Sequence, residues 1–243
     1  TNSSIGLIYA LKKIFQKYRY YLKKNKCSFY KMKIKNFSSI SDLILYYLSR
    51  PLVQVNILID KLSTTKPHFL KKIQYKIILS IVKKKNCKTI LEFGSGASTF
   101  FFLKNFNNLK FFSVNLLREK KYTDRVRQKL LEEKYNISGL NILDLETNIK
   151  KLNNNFAVEF IGNFNTIYDF IYIDGPSKLE GTNLIYNILN YDVKSLNYFF
   201  DGRVNNVNIF ISSLKEKKIS FNLKSSALLN YSYINITDTN FIK

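Results

Sequence analysis

The most constraining feature of this sequence is a short apolar strand that runs directly into a glycine turn. Thr89–Phe93 is mainly apolar, and Gly94-Ser95-Gly96 follows it without a linker. Two glycines at the end of a buried strand let the backbone turn sharply, and they leave room for a ligand where a Cβ would obstruct it. A helix that begins near Ser98 would present free backbone N–H groups to that ligand. The segment therefore predicts a strand–turn–helix ligand site in an α/β protein.

Strands and helices alternate from Lys88 onward, which predicts a mostly parallel sheet with right-handed crossovers. The predicted strands are Thr89–Phe93, Leu109–Val114, Leu140–Leu143, Tyr168–Ile173 and Leu196–Phe200, followed by a closing antiparallel pair at Ile219–Leu223 and Tyr231–Ile236. The helices predicted from Phe69 onward are Phe69–Lys84, one that begins near Ser98, Arg125–Tyr135 and Leu184–Leu189. We therefore expect a Rossmann-like α/β fold with about seven strands.

Positive charge is concentrated in the N-terminal third of the chain. The 243 residues have a formal net charge of +22, and residues 1–88 hold 20 Lys and Arg against two acidic residues. Residues 5–24 have the periodicity of an amphipathic helix, and residues 1–35 hold ten basic side chains and no acidic one. Such a helix either lies on an anionic membrane surface or packs its apolar stripe on the rest of the protein. The sequence thus predicts a basic helical region at 1–66 and a separate domain at 67–243.

Composition and rare residues exclude several classes of protein. The 46% apolar and 23% charged content is that of a globular chain and not of a disordered one. Cys27 and Cys87 cannot form a disulfide framework, so the expected compartment is the reducing cytoplasm. A single histidine, His68, excludes His-rich metal sites. No apolar run is long enough to span a bilayer, so any predicted membrane attachment is peripheral, on the inner face.

The glycine turn favours S-adenosylmethionine over a dinucleotide. A dinucleotide turn usually has a third glycine, and Thr99 occupies that position. At these residues the chain resembles the class I (Rossmann-like) S-adenosylmethionine-dependent methyltransferases. Glu92-Phe93-Gly94-Ser95-Gly96 matches their first motif, and Tyr168–Pro176 is similar to their fourth-strand segment, which ends in an acidic residue. The resemblance covers roughly residues 68–243 and is strongest to small methyltransferases of bacterial surface-glycan and secondary metabolism.

The resemblance implies which residues hold the cofactor. The turn would surround the methionine part, and the family's second strand normally ends in Asp or Glu, which binds the ribose hydroxyls. Here that strand ends in Asn115, and Glu119 is an alternative for the same role. Asp144 is expected either near the adenine amino group or at the surface. The residues expected to bind the cofactor are Glu92, Gly94, Ser95, Gly96, Ser98, Thr99, Asn115 and Asp144.

Two acids at predicted strand ends are the catalytic candidates. Methyl transfer needs alignment, and a hydroxyl nucleophile benefits from a general base. Asp174 and Asp201 would meet at one edge of the sheet, although both also suit turns. Catechol-type methyltransferases place an Asn after the second acid of their metal site, but Gly202 stands there, so no metal is assigned. Arg203 and Lys178 are expected to bind a phosphate or carboxylate of the acceptor.

These expectations favour an S-adenosylmethionine-dependent enzyme that methylates oxygen on a sugar, a glycan or another small hydroxylated acceptor. The overall basicity suggests an RNA (ribose) methyltransferase as an alternative. However, the basic excess lies outside the predicted catalytic domain. The fourth predicted strand also lacks the Pro-Pro-aromatic ending that is usual in enzymes methylating base amino groups. A third interpretation is a non-catalytic, membrane-associated domain with a methyltransferase fold.

Overall fold

A computed structural model describes residues 69–106, 108–152, 155–163, 165–175, 184–226 and 229–242. Its helices are α1 (Phe69–Lys84), α2 (Ala97–Asn105), α3 (Lys120–Glu132), α4 (Tyr186–Leu189) and α5 (Val204–Glu216), with 3-10 turns at Leu117–Glu119 and Thr239–Ile242. Its strands are β1 (Thr89–Phe93), β2 (Lys110–Leu116), β3 (Leu140–Leu152), β4 (Asn155–Ile161), β5 (Phe170–Ile173), β6 (Asn197–Asp201), β7 (Phe221–Ser226) and β8 (Tyr231–Ile236).

The strands form one sheet in the order β4-β3-β2-β1-β5-β6-β8-β7. The five strands from β3 to β6 in that order are parallel, whereas β8 pairs antiparallel with both β6 and β7. α2 connects β1 to β2, α3 connects β2 to β3, and α4 lies between β5 and β6, whereas β4 lies between β3 and β5. The predicted Rossmann-like α/β fold, with a mostly parallel sheet and an antiparallel closing pair, is confirmed.

The strand register brings the ends of four strands together. Phe93 lies opposite Val114 on one side and Ile173 on the other, and Ile173 lies opposite Phe200. The chain leaves all these strands at the same edge of the sheet, which we call the carboxyl edge. Ligands of open parallel sheets bind outside this edge. The predicted glycine turn and both predicted catalytic acids therefore lie along one rim.

The sequence analysis missed one strand. The third strand continues past Leu143 to Leu152 and turns into β4, which pairs with it antiparallel and makes the sheet eight-stranded. The segment is rich in Asn and Lys, so it lacks the apolar character that marks the central strands. Its far side is fixed by distant residues: the Val158 N–H donates to the Leu184 carbonyl at 2.7 Å, and the Phe160 N–H donates to Asn187 at 2.8 Å. Hydrogen bonds to distant residues cannot be predicted from the sequence of β4 itself.

Side chains of the central strands point alternately into two buried layers. Leu91, Ile171 and Phe200 pack on one face of the sheet, whereas Ile90, Tyr172 and Phe199 pack on the other face beside α1. All four residues of β5 are buried, as expected for a strand covered on both faces. This packing holds the strand ends at the carboxyl edge in fixed positions.

Several predictions fall outside the described residues. They include the basic helical region at 1–66 with its boundary, the membrane-binding stretch at 1–35, and the acceptor-binding role of Lys178. Within the part of the chain that the structure describes, no helix combines the length and apolarity needed to cross a bilayer.

Candidate active site

The glycine turn after β1 packs against the loop after β5, backbone to backbone. Gly94 has φ +96°, a conformation that favours glycine, and a Cβ at this position would lie 2.9 Å from both Cα and N of Gly175. The N–H groups of Asp174 and Gly175 both donate to the Phe93 carbonyl, the first at 3.1 Å. The two segments that carry the methyltransferase resemblance are therefore in direct contact, and that contact requires a glycine on each side.

Glu92 lies beneath the turn and is fully buried. Its carboxylate accepts hydrogen bonds from the hydroxyls of Ser98, Thr99 (2.7 Å) and Ser113 (2.8 Å). Burial raises the pKa of Glu92 to about 7; the three hydroxyl donors oppose that shift, and the negative charge of Asp174 adds to it. Glu92 thus ties the start of α2 to β1 and β2. Both oxygens of Glu92 are already hydrogen-bonded within the protein.

Asn115 holds the turn from the end of β2. Its Oδ1 accepts the Ser95 N–H at 2.7 Å, and its Nδ2 donates to the Ser95 hydroxyl at 2.7 Å and to the Ser113 carbonyl at 3.3 Å. A carboxylate could accept from the amide but could not make the two donations. The amide at this position, where the resemblance implies an acid, therefore has a local physical reason.

An open cavity of about 190 Å³ lies against the turn at the carboxyl edge. Its lining residues are Gly94, Ser95, Val114, Asn115, Leu116, Glu119, Phe160, Asp174, Gly175 and Arg203. Phe160 comes from the strand that the sequence analysis missed, and its ring packs 5.4 Å from that of Phe93. Burial lowers the pKa of the Arg203 guanidinium, although the nearby Asp174 carboxylate raises it. The cavity thus brings together predicted cofactor, catalytic and acceptor residues.

The two predicted catalytic acids have different surroundings. The Asp201 side chain is 8% exposed and accepts hydrogen bonds from Gln74 Nε2 and the Tyr172 hydroxyl, each at 2.9 Å. It also forms an ion pair with Lys71 of α1. The Asp174 side chain is 40% exposed, with its Oδ2 3.8 Å from Lys71 Nζ. Asp174 is therefore the acid that is accessible from the cavity, whereas the oxygens of Asp201 are already bonded.

The remaining predicted cofactor residues lie farther from the cavity. Ser98 and Thr99 are buried beside Glu92. Asp144 accepts the Thr123 hydroxyl and pairs with Arg127, both at 2.6 Å, which fixes α3 against β3. The structure does not bring Asp144 to the cavity wall, and its contact with adenine stays a prediction.

Several residues at this edge were not identified from the sequence. Lys71 and Gln74 share one face of α1 because they are three residues apart, and Tyr172 points to the same side of its strand as Asp174. These spacings were visible in the sequence, but Lys71 and Gln74 lie more than 100 positions from their partner Asp201, and Tyr172 lies 29 positions from it. The Tyr122 hydroxyl lies 3.4 Å from where a Cβ of Gly96 would be, so this tyrosine covers the outer side of the turn.

No family model and no curated protein sequence matches the chain. Solved structures overlap with it at low identity. A Staphylococcus aureus protein assigned as a caffeoyl-CoA O-methyltransferase is 13% identical, with 82% of this chain and 99% of that chain covered and a TM-score of 0.46. A Bacillus cereus O-methyltransferase in complex with SAH is 12% identical, with 84% and 94% covered and a TM-score of 0.42.

The O-methyltransferase TomG from Streptomyces achromogenes, in complex with SAM, is 9% identical, with 76% of this chain and 96% of that chain covered and a TM-score of 0.42. At these identities and TM-scores the overlap carries no information on substrate or on the roles of individual residues. Functional inference therefore depends on the residues at the carboxyl edge.

Proposed function

We propose that this protein is an S-adenosylmethionine-dependent methyltransferase that transfers a methyl group to a hydroxyl oxygen of a small acceptor, such as a sugar or glycan. The observation that carries the proposal is the direct packing of the glycine turn against the Asp174-Gly175 loop. Because of this packing, the turn that we propose to hold the cofactor and the accessible carboxylate of Asp174 line one cavity.

The charge around the turn suits a cationic ligand. Burial raises the pKa of the Tyr122 hydroxyl, and the carboxylates of Glu92, Asp174 and Glu119 raise it further. The carboxylates of Asp174 and Glu119 line the cavity beside the turn and make the potential there more negative. Such a potential favours the sulfonium of S-adenosylmethionine and disfavours the diphosphate of a dinucleotide.

The lining residues fit the cofactor by their chemistry. Gly94 and Ser95 line the cavity and, together with Gly96, would hold its methionine part. Glu119 lines the cavity beside Asn115 and offers a carboxylate to the ribose hydroxyls. When bound, the cofactor supplies an electrophilic methyl group on a positively charged sulfur.

Acceptor chemistry would depend on Asp174 and Arg203. Asp174 is exposed to the cavity and can accept the proton of an acceptor hydroxyl. Arg203 lines the same cavity and can bind a phosphate or carboxylate that the acceptor carries. Lys178 remains a second candidate for that role. Peripheral attachment through residues 1–35 would suit an acceptor at a membrane, and it remains a prediction.

Calorimetry with S-adenosylmethionine and with S-adenosylhomocysteine tests the proposal. We expect both to bind the wild-type chain and neither to bind Gly94→Val, because valine must adopt φ +96° and displace the Gly175 backbone. Asp192→Asn, at an exposed position after α4 and outside the proposed site, is the control. We expect its affinity to stay within about threefold. Absence of binding to the wild-type chain would contradict the proposal.

Transfer of radiolabelled methyl from S-adenosylmethionine to a panel of sugars, glycans and RNA tests the acceptor class. Label on a sugar or glycan hydroxyl would support the proposed acceptor. Label on RNA alone would replace it with the ribose methyltransferase interpretation.

A further inference from the structure

Lys71 lies between Asp174, which follows β5, and Asp201, which is the last residue of β6. Its ammonium pairs with Asp201 and is 3.8 Å from Asp174 Oδ2. Carboxylates at neighbouring strand ends form the kind of oxygen site that a divalent cation occupies. In this protein a side chain from α1 brings a positive charge to that position.

Asp201 is built to hold this ammonium in place. Gln74 and Tyr172 donate to its two oxygens, so the carboxylate cannot rotate without losing hydrogen bonds. The side chains of Asp201 and Lys71 are 8% and 20% exposed, so solvent screens their attraction less than at an open surface. The cation is thus anchored from the buried side and lies near the cavity side at Asp174.

We propose, on the basis of the proposed function, that Lys71 is the resident cation of this active site and takes the place of a divalent metal. An acceptor hydroxyl that donates to Asp174 comes within reach of an ammonium only 3.8 Å from the same carboxylate. Lys71 donates a hydrogen bond to the acceptor oxygen and stabilises the negative charge that develops on it.

This methyl transfer needs no reactant other than the cofactor and the acceptor. The acceptor oxygen forms a bond to the methyl carbon while the bond from that carbon to sulfur breaks. The electron pair of the broken bond stays on sulfur, which becomes a neutral thioether. The hydroxyl proton passes to Asp174, and Lys71 remains protonated throughout. Asp201, Gln74 and Tyr172 act as positioning residues for Lys71.

Binding of Mn²⁺ to the full chain, measured by electron paramagnetic resonance, tests whether Lys71 holds the place of a cation. We expect the wild-type chain and the control variant Lys72→Ala to bind no Mn²⁺ at this edge; Lys72 is the exposed neighbour of Lys71. Lys71→Ala should gain one Mn²⁺ site, which Lys71→Ala/Asp174→Asn should lose. Lys71→Gln serves as the second neutral variant if the alanine variant does not fold. Wild-type Mn²⁺ binding that depends on Asp174, or no gain in either neutral variant, would overturn the proposal.

Methyl transfer to catechol, a diol used as a probe acceptor, gives a readout that a purely structural ion pair would not move. Wild-type turnover should be unchanged by EDTA. Lys71→Ala should lose about 100-fold in kcat, keep its affinity for S-adenosylmethionine, and regain activity with Mg²⁺. EDTA-sensitive wild-type turnover would overturn the proposal. A wild-type chain that does not bind S-adenosylmethionine would instead refute the proposed function, and the Mn²⁺ measurement would still decide the role of Lys71.

Discussion

The two halves of the carboxyl edge hold their buried carboxylates in different ways. In the half at the ends of β1 and β2, which we call the donor half, Glu92 accepts from three neutral hydroxyls. In the half at the ends of β5 and β6, the acceptor half, Asp201 accepts from an amide, a phenol and a lysine ammonium. Each acid has three donors, but only Asp201 has a counter-charge.

This difference fits the separate tasks that we propose for the two halves. Without a cation, burial dominates and the pKa of Glu92 rises to about 7, so much of its charge is absent near neutral pH. A carboxylate of this kind can fix a backbone turn without presenting a strong charge. In the acceptor half, the ammonium of Lys71 is balanced by Asp201 and near Asp174, so charge is kept where proton transfer is proposed. The variants that follow test this separation.

The largest effect is expected in the acceptor half. Asp174→Asn removes the accessible base and should lower the kcat of methyl transfer by about 100- to 10,000-fold. Its affinity for S-adenosylmethionine should change little, because the amide can still occupy the loop beside Gly175. Production of S-adenosylhomocysteine and calorimetry measure the two quantities. Asp192→Asn, at an exposed residue after α4, is the control and should behave as wild type. Equal losses of kcat and cofactor affinity would show that the two halves do not have separate roles.

In the donor half, the raised pKa of Glu92 makes stability depend on pH. Its pKa in the folded state is about 7, above the ordinary 4.5, so folding favours the protonated acid. This contribution is fully present below pH 4.5 and is lost as pH rises through 7. Between these values the wild-type free energy of unfolding should fall by about 3 kcal/mol relative to Glu92→Gln.

Urea denaturation of the wild type and Glu92→Gln at pH 5, 6, 7 and 8 measures this difference. Glu216→Gln, at an exposed position on α5, controls for loss of a carboxylate as such. Parallel pH profiles for the wild type and Glu92→Gln would show that Glu92 is ionised in both states, and the contrast with the acceptor half would disappear.

The smallest effect concerns Asn115. Asn115→Ala leaves the Ser95 N–H without its acceptor and should lower the free energy of unfolding by about 1–2 kcal/mol. Asn115→Asp keeps an acceptor for that N–H and loses only the two donations, so its loss should be smaller. Thermal unfolding ranks the three proteins. If Asn115→Asp is less stable than Asn115→Ala, then charge and not hydrogen bonding governs this half.

The sequence predicted those parts of the molecule whose pattern is local. The bounds of α1 and β1 are those predicted, because helical periodicity and a short apolar run ending in glycine are contained within their own residues. The grouping of the glycine turn with Asp174 followed from strand order and is present in the structure. The helix α5 was not predicted.

The missing features are those that depend on distant partners. The outer side of β4 is held by hydrogen bonds to Leu184 and Asn187. The role of Lys71 could not be predicted, because its partner Asp201 lies 130 residues later in the sequence. The second role of Asn115, which holds Ser95, likewise depends on two strands lying side by side. No spacing rule within one segment contains this information.

The contact between Gly94 and Gly175 has a mechanical consequence. Because the two backbones touch, the loops cannot move independently: a displacement of one pushes the other through the Phe93 carbonyl that both share. If the proposed cofactor binds against the glycine turn, its binding would therefore also restrict the loop that carries Asp174.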